Sequence, residues 1–490
     1  MLFNTHEFVL VFLPVTLVLF FAIARKSHRT ARWFLLTASF AFYAWWSVEY
    51  GLLILATVVV NYSLGIRIQH LAERGAAAAK ALLIVAVAVN LGLLGYFKYR
   101  NFFVGNVNEL AGTHWPIISL VLPLAISFHT FQQIAYLVDS WRRQVDQPTL
   151  ADYGLFVLFF PQLIAGPIVH HWQLLPQFRD ERFYRFDYVC FAAGLTFFTL
   201  GLAKKLLIAD PLATVSDRVF NTAITSPPTL TGAWVGLGAY TLGLYFDFSG
   251  YSDMAIGLAR MFGIQLPYNF NSPYKATSII DFWRRWHITL SNWLRDYLYV
   301  PLGGNRRGKA RRYANLMITM LLGGLWHGAA WTFVVWGLLH GLYLIVNHAW
   351  HALRTRASIG PLPLGIAWPL TLGAVAFAWV FFRSPTFEHA HAMVDGLIGL
   401  NGLHSDALNA VVWPGKGLVL VIALVVALLM PNTQWLIDGP QDAASPEGPP
   451  RQTWLVRWQP TLAWAAAVGI LLVVALTQMS ARREFVYFQF

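Results

Sequence analysis

Residues 321–331, LLGGLWHGAAW, place one histidine, His327, among glycines, tryptophans and aliphatic side chains. The longer run 316–338 contains no Lys, Arg, Asp or Glu, a composition typical of a membrane-embedded segment. An ionisable side chain in such a segment is energetically expensive and is by default a functional candidate. The stretch therefore predicts a membrane-embedded fold and a position for chemistry within it.

The composition of the whole chain supports a membrane protein. Of 490 residues, 57% are hydrophobic and only 12% are charged, whereas soluble domains carry about 25% charged residues. The apolar runs are continuous rather than alternating, which favours helices over a transmembrane barrel. The clearest candidate spans are residues 8–24, 33–47, 81–97, 366–382, 411–430 and 461–479. We predict an all-α, polytopic integral membrane protein with about twelve transmembrane segments, estimated from span length.

The net charge of +12 comes from clusters in short loops between the apolar runs. This distribution follows the positive-inside rule, so the expected partner of the basic residues is membrane lipid and not nucleic acid. The main clusters are Arg25, Lys26, Arg29 and Arg32; Arg67, Arg74 and Lys80; and Arg306, Arg307, Lys309, Arg311 and Arg312. The first span follows MLFNTHEF and precedes its positive cluster, which argues against a cleavable signal peptide and places the N-terminus outside.

We expect one membrane domain over residues 1–490. The predicted parts are N-terminal spans (1–97), a catalytic core (98–350), C-terminal spans (351–479) and an extracytoplasmic tail (480–490). Residues 98–115 are expected to be a polar and aromatic connection. Apolar runs in 116–350 are interrupted by polar residues, which predicts short, tilted, re-entrant and interfacial helices. Residues 438–453 are rich in Pro, Gly and Ser and predict a cytoplasmic loop.

His327 is the sharpest catalytic candidate. A neutral imidazole is well suited to accept a proton near neutral pH, and Gly323, Gly324 and Gly328 allow close approach of a backbone or a substrate. The alternative is a buried histidine that holds helices together by hydrogen bonds. A second candidate, His287, lies in residues 281–304, where tryptophans and arginines alternate. That stretch predicts an interfacial helix with His287 at the mouth of a cavity, or simply an aromatic belt helix.

Two weaker candidate sites contain charged residues, and a third, at the end of the chain, contains a possible nucleophile. The sequence GGNRRGKARR (303–312) could hold a phosphate-bearing donor through Arg306, Arg307 and Lys309, or it could be a loop that touches anionic lipid. Asp247 and Asp253 could orient a histidine or bind a sugar hydroxyl, whereas Ser252 or Asp253 could cap a following helix.

The chain ends in FVYFQF, residues 485–490. Tyr487 there is either an interfacial anchor or a possible acyl acceptor. The single Cys190 excludes an internal disulfide and a multi-cysteine metal site. No HExxH zinc motif and no Gly-x-Ser-x-Gly elbow is present, so we expect no metal ligands.

Several ordered stretches together resemble the membrane-bound O-acyltransferase (MBOAT) superfamily, and most closely its bacterial alginate O-acetylation branch. The stretches cover most of residues 95–345 and the tail. They are PLAISFHTFQQIAYLVDSWR (123–142), FFPQLIAGPIVHHWQLLPQF (159–178), LYFDFSGYSDMAIGLARMFGI (244–264), PYNFNSPYKATSIIDFWRRWHITLSNWLRDYLYVPLGGNRRG (267–308), NLMITMLLGGLWHGAAWTFVVWGLLHG (315–341) and FVYFQF. Residue 125 is Ala where the family often has Gly, and HTFQQIAYL departs from the FESISYI type of alginate enzymes.

The resemblance implies specific roles. His327 matches the histidine of GGLWHG that is taken as catalytic. His287 matches the family's second histidine, which stands in FWRRWHI. Trp326, Asp247 and Asp253 would be pocket residues. Tyr487 matches a Phe-x-Tyr-x-x-Phe acyl relay. The fold would surround a central tunnel. No cofactor is expected to be bound.

A cytoplasmic thioester, acetyl-CoA or an acyl carrier, would donate an acyl group for O-acetylation of an exported polysaccharide such as alginate. A periplasmic or membrane-anchored SGNH-type acetyltransferase would be the partner, and the location would be the bacterial inner membrane. The alternatives are a transporter without acyl chemistry, a structural scaffold for an envelope assembly, and D-alanyl or peptidoglycan acyl transfer on the same fold.

Overall fold

The structure is a computed structural model that describes residues 1–403, 415–439 and 457–479. Every regular element among these residues is helical, as the sequence predicts. The described chain forms two compact units. The first unit contains residues 1–199, 251–267 and 468–479, and the second contains residues 200–250, 268–403, 415–439 and 457–467.

The helices up to residue 203 begin and end as follows. They are α1 (Leu13–Ala24), α2 (His28–Ala44), α3 (Val48–Glu73), α4 (Ala77–Leu94), α5 (Arg100–Ala111), α6 (Ile126–Trp141), α7 (Leu150–Leu158), α8 (Phe160–Leu163), α9 (His171–Arg179) and α10 (Tyr188–Ala203). A single turn of π-helix at Phe8–Phe12 leads into α1, another at Gly95–Tyr99 joins α4 to α5, and a 3₁₀ turn spans Glu181–Tyr184.

The remaining helices belong mainly to the second unit. They are α11 (Asp210–Asn221), α12 (Leu230–Met261), α13 (Ile279–Arg285), α14 (Ile288–Leu294), α15 (Gly308–His327), α16 (Trp331–Arg356), α17 (Leu364–Arg383), α18 (Phe387–Leu397), α19 (Lys416–Leu429), α20 (Thr433–Asp438) and α21 (Leu462–Thr477). Further π turns span Lys204–Ala209 and Arg295–Tyr299, and a 3₁₀ turn spans Pro273–Lys275.

Five helical segments of the described chain are long and apolar enough to cross a membrane, and three shorter apolar helices accompany them. The long segments are Val48–Glu73, Ala77–Ala111, Tyr188–Asn221, Trp331–Arg356 and Leu364–Arg383; the short ones are Phe8–Ala24, Lys416–Leu429 and Leu462–Thr477. The chain is therefore a multi-pass membrane protein. The figure of twelve crossings and the central tunnel stay predictions.

Two sequence predictions about helix breaks are wrong. Residues 98–115 are largely not a connection, because the helix from Ala77 continues through one π turn to Ala111. The run around Asp247 is not interrupted either, since α12 is continuous over 32 residues. Ser252 and Asp253 lie inside that helix and cannot be its N-cap. The short helices expected in 116–350 do occur, at residues 150–179 and 279–294, but long helices separate them.

Polar side chains hold helices together inside the first unit. The side-chain amide of Asn61 on α3 donates to Asn90 on α4 at 3.1 Å and to Gln133 on α6 at 2.6 Å, and Asn90 returns a bond of 2.7 Å. All three residues are buried. Where apolar attraction between helices is weak, such bonds and close packing associate the helices.

In the second unit, α15 and α16 form a hairpin whose backbones meet at glycines. An ideal Cβ at Gly324 would lie 2.3 Å from the carbonyl oxygen of Phe333, and one at Gly337 would lie 2.4 Å from the carbonyl oxygen of Met320. Any side chain at these positions would separate the two helices. The hairpin matters for the site because His327 ends α15, three residues beyond Gly324.

We expect Gly324→Ala to destabilise the protein by about 1–3 kcal/mol or more, because the added methyl group meets backbone that cannot move aside alone. The midpoint of thermal unfolding in detergent should fall. Gly373→Ala is the matched control, since Gly373 lies inside α17 with no atom within 4 Å of the added Cβ. That variant should gain stability, because Ala favours helix over Gly by about 0.5–1 kcal/mol. Equal midpoints for the two variants would contradict the packing argument.

Candidate active site

His327 is the last residue of α15, and its side chain is buried at 4% exposure. The helix ends there because Gly328 is extended (φ −161°, ψ 148°) and leads into α16. A Cβ at Gly328 would lie 2.1 Å from the ring of Phe333, so this turn requires glycine. The GGLWHG sequence thus holds the imidazole at a tight helix-to-helix turn.

Aromatic rings surround the imidazole of His327. Trp326, Trp336 and Phe382 meet it edge to face, with centroid distances of 4.9, 5.0 and 5.2 Å. Aromatic walls of this kind exclude water and lower the local dielectric constant, which strengthens electrostatic interactions with a reacting group. The surroundings therefore suit proton transfer by His327 with water excluded.

His287 lies between α13 and α14 in the left-handed conformation (φ 43°) and is fully buried. The prediction of one interfacial helix over 281–304 is wrong, because the chain turns sharply at Trp286 and His287. A left-handed non-glycine residue is uncommon and is typical of functional or strained positions. The turn directs His287 inward against Phe248, whose ring centroid lies 4.7 Å away.

The protonation pattern of His287 follows from Asn269. The side-chain oxygen of Asn269 lies 3.1 Å from His287 Nδ1 and also accepts bonds from the backbone N–H and hydroxyl of Thr289. Because that oxygen only accepts, His287 Nδ1 must donate to it. The basic lone pair of the neutral ring is therefore on Nε2.

Trp326 connects the two predicted catalytic histidines. Its indole lies 4.9 Å from the His327 ring and 6.2 Å from the His287 ring, and it is itself buried. The structure thus brings His327, His287 and Trp326 together in the second unit, although 40 positions separate the two histidines in the numbering. The pocket role predicted for Trp326 is consistent with this place.

Asp247 contacts a lysine that the sequence analysis did not single out. The ammonium group of Lys205 lies 2.6 Å from Asp247 and 2.8 Å from Asp210, and both Lys205 and Asp247 are buried. A charge at this depth requires an opposite charge beside it. The buried ion pair allows α12 to continue unbroken past Asp247. Asp253, also buried, belongs to the first unit.

The basic turn before α15 is exposed. Arg306, Arg307 and Lys309 are all exposed, and Gly303, Gly304 and Gly308 have positive φ, as a tight turn requires. The end of α15 at Gly308 lies about 28 Å from its end at His327, at 1.5 Å per residue. The turn is therefore too far from His327 to contact the reacting atoms.

Tyr487 and the tail 480–490 lie outside the described residues, as does most of the loop predicted over 438–453. The relay role of Tyr487 stays a prediction.

The sequence analysis missed three residues: Asn269, which contacts His287; His340, which packs on Trp336; and Lys205, which pairs with Asp247. Asn269 stands in the quoted stretch PYNFNSPY, and His340 stands in WGLLHG, thirteen positions after His327. Both His340 and Lys205 are ionisable residues inside apolar runs, so the rule that marked His327 would also have marked them.

A cavity of about 440 Å³ lies elsewhere, within the first unit. It is lined by Gln144, Asp146, His171, Trp172, Leu175, Pro176, Arg179 and Asp180. His171, on its wall, is buried and lies 3.2 Å from Asp139. None of the predicted site residues that the structure describes lines this cavity.

Comparison with known proteins places these stretches in a family. Residues 140–363 match the sequence model of MBOAT, the membrane-bound O-acyltransferase family. The chain is 44% identical over 431 residues to the peptidoglycan O-acetyltransferase of Helicobacter pylori, covering 82% of this chain and 81% of that protein. It is 38% identical to the probable alginate O-acetylase AlgI of Azotobacter vinelandii over the full length of both.

A more distant similarity reaches the teichoic acid D-alanyltransferase of Streptococcus thermophilus, at 29% identity over 52% of this chain and 65% of that protein. The matched family region contains Asp247, Asp253, His287, the basic turn and His327.

Proposed function

The chain belongs to the membrane-bound O-acyltransferase family and is an O-acyltransferase; from this premise we propose that it moves acetyl groups across the bacterial inner membrane. The donor is a cytoplasmic thioester, acetyl-CoA or an acyl carrier. The acceptor is an exported envelope polysaccharide. The observation that carries the proposal is the buried His327, held in aromatic walls beside His287 in a chain of this family.

His327 acts as the general base. It takes the proton of an attacking hydroxyl as the oxygen forms a bond to the thioester carbonyl carbon. The tetrahedral intermediate then collapses, the carbon–sulfur bond breaks, and the thiolate receives the proton back from His327. The low-dielectric walls of Trp336 and Phe382 keep water from competing with the hydroxyl.

His287 is the second catalytic residue. Its bond to Asn269 holds the ring so that Nε2 presents a lone pair. A lone pair at this position can accept a hydrogen bond from the attacking hydroxyl or the leaving thiol and so orient it. Trp326 packs against both imidazoles and helps to hold their rings in place.

The basic turn holds the remote part of the donor. Arg306, Arg307 and Lys309 are exposed cations on a loop that the positive-inside rule places in the cytoplasm. Cations and turn N–H groups bind phosphate. At about 28 Å from His327 along α15, they contribute affinity and not chemistry.

We propose Tyr487 as the acyl relay. Its phenol attacks the thioester, His327 takes the phenolic proton, and the acetyl ester passes to an SGNH-type acetyltransferase outside the membrane. That partner esterifies a polysaccharide hydroxyl and releases the phenol. The proposal rests on the match of the tail to the family's relay motif.

Two acceptors are supported by relatives' names. The similarity to probable alginate O-acetylases favours an exopolysaccharide such as alginate, and the 44% identity to a peptidoglycan O-acetyltransferase favours the cell-wall glycan. The same membrane chemistry serves either one. The partner enzyme selects the acceptor.

The proposal is tested by deleting the gene in its own host and measuring base-labile acetate in the exopolysaccharide and peptidoglycan fractions. We expect acetate to disappear from one fraction and to return with the wild-type gene. In membrane vesicles, labelled acetyl-CoA presented on the cytoplasmic side should transfer label to that fraction. Unchanged acetate in both fractions after deletion would refute the function.

We expect Tyr487→Phe to abolish acetyl transfer to the polysaccharide, because the variant keeps the aromatic ring and loses only the attacking oxygen. Mass spectrometry of the tail peptide after incubation with acetyl-CoA should find the acetyl group on Tyr487 in the wild type. Tyr188→Phe, at an exposed tyrosine in the first unit, is the control and should transfer normally. Full transfer by Tyr487→Phe would remove the relay and leave His327 as the base for a direct transfer.

A further inference from the structure

Three buried side-chain N–H groups belong to a cluster of rings that contacts His327 through Trp336, and the proposed mechanism assigns these N–H groups no role. They belong to Trp336 and His340 on α16 and to Trp379 on α17, each no more than 1% exposed. The ring centroids of Trp336 and His340 are 4.8 Å apart, and that of Trp379 lies 5.8 Å from Trp336 and 6.2 Å from His340. Trp336 is also in edge contact with His327 at 5.0 Å.

His340 is a donor at Nε2. The indole N–H of Trp283 lies 3.2 Å from His340 Nδ1. Because an indole nitrogen can only donate, Nδ1 must accept, and the proton of the neutral imidazole is then on Nε2. The bond from Trp283 thus fixes the tautomer of His340, so that Nε2 of the His340 ring carries the proton and is a hydrogen-bond donor. This is the reverse of His287, whose Nδ1 donates to Asn269.

None of the three donors has an acceptor among residues 1–403, 415–439 and 457–479. The unpartnered atoms are Nε1 of Trp336, Nε1 of Trp379 and Nε2 of His340. A buried donor left without an acceptor has lost its hydrogen bonds to water and gained none in exchange, which destabilises the fold. Three in one cluster are therefore expensive, and the fold retains them at a position adjoining the general base.

A set of donors with no acceptor has a definite chemical preference. It favours an oxygen with lone pairs, and it favours a negatively charged oxygen over a neutral carbonyl. Inside apolar walls this preference is stronger than in water, because the donors are already oriented and the dielectric constant is low. An ammonium group or a donor-only ligand would be rejected.

We propose that Trp336, His340 and Trp379 form an oxyanion-binding cluster for the acyl carbonyl, an inference that rests on the proposed acyl transfer. As the attacking oxygen bonds to the carbonyl carbon, the π electron pair of the carbonyl moves onto its oxygen, and the three N–H groups stabilise that charge. When the pair returns, the thiolate leaves. The cluster supplies hydrogen bonds while His327 handles the proton.

The test removes single N–H groups and keeps the rings. Trp336→Phe and Trp379→Phe should each lower kcat for acetyl transfer from labelled acetyl-CoA in membrane vesicles by about 10²-fold, with KM little changed. Cells carrying either variant should show a matching loss of base-labile acetate. Trp368→Phe is the control, since that half-buried indole donates to the backbone oxygen of Tyr274 at 2.8 Å; its transfer rate should equal that of the wild type.

His340 allows a rescue that a merely structural role would not permit. His340→Leu loses the donor and should be impaired about 10²-fold in kcat. In His340→Gln the amide oxygen can accept from Trp283 while the amide N–H replaces Nε2–H. That variant should regain at least a tenth of the wild-type rate. The transfer rates of all variants are compared at equal amounts of protein in the membrane, so that a lower rate cannot result from a lower amount of folded protein.

The outcomes separate the two proposals. If deletion of the gene removes the acetate but both tryptophan variants transfer at the wild-type rate, the oxyanion cluster is wrong and the acyltransferase function stands. If His340→Gln is as impaired as His340→Leu, His340 is not a donor to the carbonyl oxygen. If the deletion strain keeps its acetate, the proposed function and the cluster fail together.

Discussion

His327→Ala should lower acetyl transfer by about 10²–10⁴-fold, the usual effect of removing a general acid–base group, while the protein still inserts in the membrane. The expectation follows from its place at the end of α15, where an imidazole is buried among Trp326, Trp336 and Phe382. No carboxylate, lysine or arginine is present in residues 316–338 to take over the proton. The loss should appear in kcat, because the proton moves only in the reaction step.

Alanine also leaves a hole in an aromatic cluster, so a second variant is needed. His327→Gln keeps a planar polar side chain of similar size but cannot take a proton, and we expect it to be as inactive as His327→Ala. His391→Ala, at an exposed histidine whose contact is Asp395, should transfer normally. If His327→Gln retained a tenth of the wild-type rate at equal protein level, His327 would position the substrate and another group would be the base.

Much of this site could be predicted from the sequence because its signals are local. A histidine in an uncharged apolar run, with glycines on both sides, is recognisable from the sequence as a functional candidate. The tight helix-to-helix turn at Gly328 explains why a glycine follows it. The apolar spans were predictable for the same reason. The family could be predicted because several of its motifs occur in this sequence in the expected order.

What could not be predicted depends on partners distant in sequence. The run at Asp247 looked interrupted, yet Lys205, 42 residues earlier, neutralises the aspartate and α12 continues. His287 looked like part of one interfacial helix, because a sequence does not show the left-handed turn or the bond to Asn269. The donor edge of His340 needs Trp283, 57 residues away, to fix its tautomer.

The buried charges of Lys205 and Asp247 produce the largest stability effect that we expect. Lys205→Met removes the ammonium group that lies 2.6 Å from Asp247 and 2.8 Å from Asp210, and it places an apolar side chain beside the buried carboxylate of Asp247. Breaking a buried ion pair from one side costs about 3–5 kcal/mol. An SDS unfolding titration in mixed micelles should show this loss in the free energy of unfolding.

The double variant distinguishes a charge effect from a packing effect. Lys205→Met combined with Asp247→Asn removes both buried charges, and Asp210 at 13% side-chain exposure is nearer to solvent. A buried pair replaced on both sides is often as stable as the original, so most of the lost free energy should return. Arg182→Met, which breaks an exposed pair with Asp180, is the control and should leave the unfolding curve unchanged. If the double variant were no more stable than Lys205→Met, the charge of Lys205 would not be what stabilises this region. The packing of its aliphatic stem would be the cause instead.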